Sequence, residues 1–274
     1  MTYSIFENTM ADMTYQEIEE VAKNDSIVLF PISVIEEHGP HLPLATDTYV
    51  AYKQALEIKK NLEKENIKTI IAPPFYWGIN FITGSFTGSF TLQKSTMVQV
   101  LVDLLCNLQK WGFNKIFTTY CHGDIHHNTA ILQAFQKARI DYGVEAYHVL
   151  SDNEITRFNA EEYIDYIVKI KTENQSPQKP PKYMDVHAGK FETSYLIAEF
   201  PDTVKIELAK KLESSKTTFE DFMIWRKGWD FNKKIAPLGY CGNPSDLVTP
   251  EEIKKFFVEE YKKISDAIIE FLDK

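Results

Sequence analysis

Apolar positions alternate between two rhythms along the chain. Ser26–Ile32 (SIVLFPI) is a short continuous apolar run, the pattern of a buried strand. Asp47–Glu65 follows with helical spacing, and Ile67–Ala72 is a second apolar run. Thr96–Lys110 returns to helical spacing, with Val98, Leu101, Val102, Leu105 and Leu108 on one face and Gly112 at the position that ends such a helix. Lys115–Cys121 then reads as a strand, Asn128–Arg139 as a helix and Glu145–Leu150 as a fourth strand. Strands alternating with helices predict parallel β-α-β units and an α/β fold.

Two further helix starts carry their own chemistry. Thr14 and Glu17 form a capping box ahead of Ile18 and Val21. Thr249-Pro250-Glu251-Glu252 sets a cap, an N1 proline and a capping glutamate in order. The helix behind it carries Ile253, Phe256, Phe257, Ile264, Ile268 and Phe271, and is expected to pack on the body. Lys171–Met184 is polar and rich in proline and lysine, and reads as a loop. There is no repeat and no linker, so residues 1–274 are expected to form a single domain.

Composition narrows the function classes. Hydrophobic residues make up 44% and charged residues 25%, ordinary globular usage. No apolar run approaches the roughly 18 residues of a membrane span. The start, MTYSIFENTMADM, lacks a basic stretch followed by an apolar one, so a secretory signal is not expected. Three widely spaced cysteines argue against a disulfide framework and for a cytoplasmic protein. A net charge of −9 argues against nucleic acid or an anionic membrane as partner.

Candidate chemistry collects in three segments. Residues 36–47 read EEHGPHLPLATD, with acids and histidines in a loop stiffened by Pro40 and Pro43, directly after the first strand. Carboxylate and imidazole together suit a zinc, manganese or iron centre. Residues 121–128 read CHGDIHHN, again between a strand and a helix, where His122 and Asp124 could complete a metal site. Residues 185–194 read DVHAGKFETS and enter another helix. Plainer readings stand beside these. Asp47 could cap its helix, Asp124 could be a turn residue, and Glu192 a helix-start acid favoured by the macrodipole. Glu37, His41, His126 and His127 read more readily as supporting or surface residues than as ligands. Cys121 reads as an inert thiol. The aromatic residues Phe75, Tyr76, Trp77, Phe81, Phe86 and Phe90 could be core or pocket wall.

The three segments resemble the motifs of the creatininase (creatinine amidohydrolase) family. Residues 36–47 fit its E-x-H-G-x-H-L-P-x-x-T-D motif throughout, His122-Gly123 fits its histidine-glycine element, and residues 187–194 fit H-A-G-E-x-E-T-S except at Lys190. Gly84–Leu92 and Gly242-Asn243-Pro244 sit where the family has a glycine-rich loop and a Gly-x-Pro turn. The resemblance implies a three-layer α/β/α fold with a mostly parallel sheet. It implies two divalent metals per chain (Zn, Mn or Fe), with Glu36 and His122 on one, His38 and Asp124 on the other, and Asp47 bridging. His187 is implied in proton transfer and Glu192 in support of the site. The implied function is a metal-dependent amidohydrolase that opens a C–N bond of a small, sometimes cyclic, molecule through a metal-activated water. A formamide, a peptide end or a cyclic diketone are alternative substrates, and a non-catalytic metal-binding protein on the same scaffold is the alternative from another class. A homo-oligomer, with a hexamer as one suggestion, is also implied. Tyr183 stands where creatininase has a tryptophan, and Lys190 replaces a glutamate. Both are expected near the substrate, with the Lys190 ammonium at the pocket rim favouring an anionic substrate over creatinine.

Overall fold

The computed structural model describes residues 3–171 and 181–274. Most of the polar stretch Lys171–Met184 lies outside the described residues. Five parallel strands form one sheet in the order β2-β1-β3-β4-β5. They are β1 (Ile27–Pro31), β2 (Thr69–Ile71), β3 (Ile116–Thr119), β4 (Ala146–Ser151) and β5 (Ile167–Ile170). Among the described residues the helices are α1 (Tyr15–Ala22), α2 (Thr46–Lys64), α3 (Lys94–Lys110), α4 (Ile125–Tyr142), α5 (Asp152–Arg157), α6 (Lys190–Glu199), α7 (Ile206–Ala209), α8 (Phe219–Trp225), α9 (Asp230–Ile235) and α10 (Pro250–Leu272). Four of the strands and the long helices stand where the hydrophobic pattern predicts them. β5 and the short helices were not anticipated.

Alternation along β1 builds the two cores. Val28 and Phe30 turn to one face, where Leu101, Leu105 and Leu108 of α3 and Ile131 and Phe135 of α4 cover them. Ile27 and Leu29 turn to the other, against Val50, Ile58 and Leu62 of α2, Leu196 of α6 and Ile268 of α10. The result is the expected α/β/α layering. Both predicted capping boxes are present, Thr14 with Glu17 and Thr249 with Glu252. Gly112 takes a left-handed φ of 103° after α3, and its N–H bonds back to Gln109 O at 2.9 Å.

A buried polar thread runs from the sheet toward the strand ends. Thr118 Oγ1 lies 2.6 Å from His148 Nδ1, and His148 Nε2 lies 2.9 Å from Asn128 Oδ1. Asn128 Nδ2 donates in turn to the carbonyls of His122 and Asp124 at 2.9 and 2.8 Å. The thread fixes the turn after β3. Burial pushes His148 down to about 3, so it is neutral in the folded chain. The sign follows. Below pH 6.5 the unfolded chain takes up a proton at His148 that the folded chain refuses, so stability is lost as pH falls, while above 6.5 the effect vanishes. At pH 5 this amounts to on the order of 2 kcal/mol. His148→Gln is therefore expected to flatten the fall in urea stability of metal-free protein between pH 6.5 and 5. An identical fall in both proteins would contradict the assignment.

Candidate metal centre

The strand order reverses at β1: the chain passes from β1 outward to β2, then crosses back to place β3 on the other side of β1. In such a sheet the crevice beyond the carboxyl ends of the two central strands is where ligands bind. Residues 36–47 leave β1 there, and residues 121–124 leave β3 beside them. The third segment arrives from the far end of the chain. His187 pairs with Cys241 in an isolated antiparallel bridge, with Cys241 N donating to His187 O at 2.8 Å. α6 then carries Glu192 inward from its first turn.

Asp47 stands at the centre. It lies in the first turn of α2, where the helix dipole favours a carboxylate. Its Oδ2 lies 3.0 Å from His122 Nδ1, which is also 3.0 Å from Glu36 Oε2. Its Oδ1 lies 3.3 Å from His38 Nε2, which is 3.8 Å from Glu192 Oε2. Two groups of ligand atoms therefore share Asp47: Glu36–Asp47–His122 and His38–Asp47–Glu192. The plain reading of Asp47 as a cap does not hold, since the residue before α2 is Ala45 and no side chain caps that helix.

The donor set fits divalent metal. Two ligands about 2.0–2.2 Å from one ion sit roughly 3.0–3.5 Å apart, close to the separations found. Ring orientation is also set. His122 Nε2 faces the Ile79 carbonyl at 3.0 Å, and His38 Nδ1 faces the Glu36 carbonyl at 3.1 Å. One nitrogen of each ring faces a carbonyl and the other faces the carboxylates, the arrangement in which metal-binding imidazoles are held. His38 Nε2 is buried with no hydrogen-bond partner among the described residues, the orphaned atom that a cation would satisfy. Thr83 Oγ1 donates to Glu36 Oε1 at 2.5 Å and turns its other oxygen to His122.

His187 closes the cluster. Its Nε2 lies 2.8 Å from the Glu37 carbonyl and 3.5 Å from Glu37 Oε1, and its ring centre is 4.4 Å from that of His38. Burial disfavours its charge, yet Glu36, Glu37 and Glu192 overcome this and raise its pKa to about 10. Burial likewise opposes charge on Asp47, but His38 and His122 hold it well below the ordinary carboxylate range. For Glu192 burial prevails and its pKa rises. His41, by contrast, is held near 4 by burial and by His38, and its Nε2 meets Thr193 Oγ1 at 2.9 Å.

Asp124, expected on the second metal, lines the same cleft, and both of its carboxylate oxygens accept from backbone. Oδ1 accepts from His126 N and His127 N at 2.8 and 3.4 Å, capping α4, and Oδ2 accepts from Phe81 N and Ile82 N at 2.8 and 3.1 Å. Glu192 stands in the second ligand group instead. Lys190 and Tyr183 were expected near the substrate. Lys190 Nζ pairs with Asp246 Oδ2 at 2.8 Å, and Tyr183 is 38% exposed beneath Lys182. Neither lines the cleft of about 100 Å³ over the cluster. Its wall is made by Ile82, Arg157, Val186, Phe222 and Trp225, none of which stood out in the sequence. Of the aromatic stretch, Phe75 is buried core while Trp77 and Phe90 are exposed and pack edge to face. His127 is buried and accepts from Ile79 N at 3.2 Å, steadying the carbonyl that orients His122. Asp124→Ala is expected to leave metal content unchanged while lowering stability by about 2–3 kcal/mol, through a lost cap and stranded N–H groups. Loss of one metal per chain in this variant would restore Asp124 to the ligand set.

Comparison with known proteins accords with this geometry. The family model described as creatininase, creatinine amidohydrolase, matches residues 11–268. A 3-dehydro-scyllo-inosose hydrolase of Thermotoga maritima is 25% identical over 279 residues, covering 96% of this chain and 80% of that protein. A mycofactocin precursor peptide peptidase of Mycolicibacterium smegmatis is 25% identical, covering 88% and 84%. A solved creatininase mutant of Zn–Zn type superposes with a TM-score of 0.67 at 17% identity, over 98% of each chain. The chain belongs to the creatininase family of hydrolases.

Proposed function

We propose that this chain, acting as one domain, is a two-metal amidohydrolase that opens a C–N bond in a small molecule. The observation that carries this reading is the sharing of Asp47 between two buried ligand groups at one sheet crevice. Glu36 and His122 would hold one ion, His38 and Glu192 the other. Divalent ions bound there lower the pKa of a water and polarise a carbonyl. The chain's own residues do the rest. Asp47 sets the spacing of the two sites. Thr83 and the Ile79 carbonyl aim Glu36 and His122. His187 stands over the cluster with a proton available for the departing nitrogen.

The match to an inosose hydrolase over nearly the whole chain favours a second reading, hydrolysis of a ring polyol carrying a carbonyl. Both readings need the same metals and the same proton donor. We also infer a cytoplasmic homo-oligomer. The three cysteines are unpaired, and Leu44, Trp77 and Phe90 expose apolar surface on neighbouring loops.

A panel of small amides, lactams, formamides, creatinine and inososes assayed with zinc- or manganese-loaded protein tests the reading. Hydrolysis of a member of the panel is expected, abolished by chelation and restored by metal. Metal-loaded protein that turns over none of them, with about two ions bound, would favour a binding protein on this scaffold.

A further inference from the structure

The cleft over the metal cluster has one side that the proposed hydrolysis does not use. Arg157, the last residue of α5, lines it with the ligand residues. Its Nη2 donates to the carbonyl of Gly123 at 3.1 Å, one residue from His122. Gly123 makes this approach possible, for a Cβ there would stand 2.4 Å from Nη2. The guanidinium, though solvent-exposed, is thus tethered beside the ligand cluster. One hydrogen bond leaves most of its donors free. Of the two acids on the same helix, Glu154 is engaged by the Ser151 cap and the Tyr120 hydroxyl, and Asp152 pairs with Lys169. No carboxylate among the described residues lies within ion-pair distance of Arg157.

A second cation extends this edge. Arg157 also lines an adjoining cavity, together with Arg226, Phe222 and Trp225. Phe222 and Trp225 stack at 5.8 Å with 22° between their planes, and Trp225 stands 6.0 Å from the His187 ring. A molecule over the cluster is therefore bounded by a flat aromatic wall and by the Arg157 guanidinium, with Arg226 in the adjoining cavity beyond. On a chain with a net charge of −9, the two arginines concentrate positive potential where a substrate tail must lie.

Resting on the two-metal reading above, we propose that the substrate carries a carboxylate, held by Arg157 while the bond to be hydrolysed lies over Asp47. This replaces Lys190 with Arg157 as the source of anion preference. Guanidinium and carboxylate match as planar partners, which an ammonium does not reproduce.

The test uses zinc-loaded protein and hydroxamates, whose metal-binding end is constant. Propionohydroxamate is compared calorimetrically with the monohydroxamates of malonate, succinate and glutarate, which add a carboxylate at three reaches. At least one of these is expected to bind about tenfold tighter than propionohydroxamate. Arg157→Gln should reduce that preference to within about twofold with zinc content unchanged, and Arg157→Lys should keep only part of it. Equal affinities in the unmodified protein, or a preference that survives Arg157→Gln, would overturn the proposal. A chain that takes up no zinc would overturn the two-metal reading and this inference together. Two bound zinc ions without carboxylate preference would overturn this inference alone.

Discussion

Replacing Asp47 with asparagine is expected to remove both metals and reduce hydrolysis by at least about 10³-fold, because in the proposed centre one carboxylate would serve two ions. The substitution conserves volume. It leaves one oxygen, however, and turns an amide toward whichever of His122 Nδ1 or His38 Nε2 loses its partner. Those nitrogens lie 3.0 and 3.3 Å from the two carboxylate oxygens now. Glu36→Gln should be milder in metal content and lose about one ion per chain, since Glu36 belongs to one of the two groups around Asp47. Metal analysis of both variants, with circular dichroism to confirm folding, separates the cases. Full metal content in Asp47→Asn would end the bridging assignment.

His187→Gln should leave the metal in place and lower kcat by about 10²–10⁴, the range for a lost general acid. His187 is not needed to complete either group around Asp47. The pH profile gives the sign. Glu36, Glu37 and Glu192 raise its pKa to about 10 against the effect of burial, so the proton-bearing form persists through neutrality and is lost as pH rises through the folded value. Cations held by Glu36 and Glu192 would offset part of that pull and move the limb below pH 10. Activity of the unmodified protein should therefore fall on the alkaline side, and the residual activity of His187→Gln should not show that fall. Loss of metal in this variant would make His187 a ligand rather than a proton donor.

What the sequence revealed follows the physics of each feature. Long periodic helices and fully buried strands announce themselves, because their burial pattern is set by the local chain. β5 did not. It is a four-residue edge strand of which Ile167 and Val168 are buried, and it follows directly on a 3₁₀ turn. α5, α7, α8 and α9 are each seven residues or fewer, too short to display a period. The site divides in the same way. Glu36, His38, Asp47 and His122 sit in compact motifs at strand ends and could be recognised locally. The fate of Asp124 was decided by Phe81 and Ile82, 43 and 42 residues away, and that of Lys190 by Asp246, 56 residues away. No spacing rule reports such pairings. Arg157 and Trp225 reach the cleft only because α5 and α8 fold over it. Thr83 had a weak signal, its place at the head of the glycine-containing loop that resembles the family's.

The central claim is that two metals flank Asp47, one on Glu36 and His122 and the other on His38 and Glu192. The most direct measurement is a crystal structure of zinc-loaded protein with anomalous data at the zinc edge. The account predicts two peaks about 3.5–4 Å apart, one on each side of the Asp47 carboxylate. A single peak, or a second peak bound by Asp124 in place of Glu192, would contradict it.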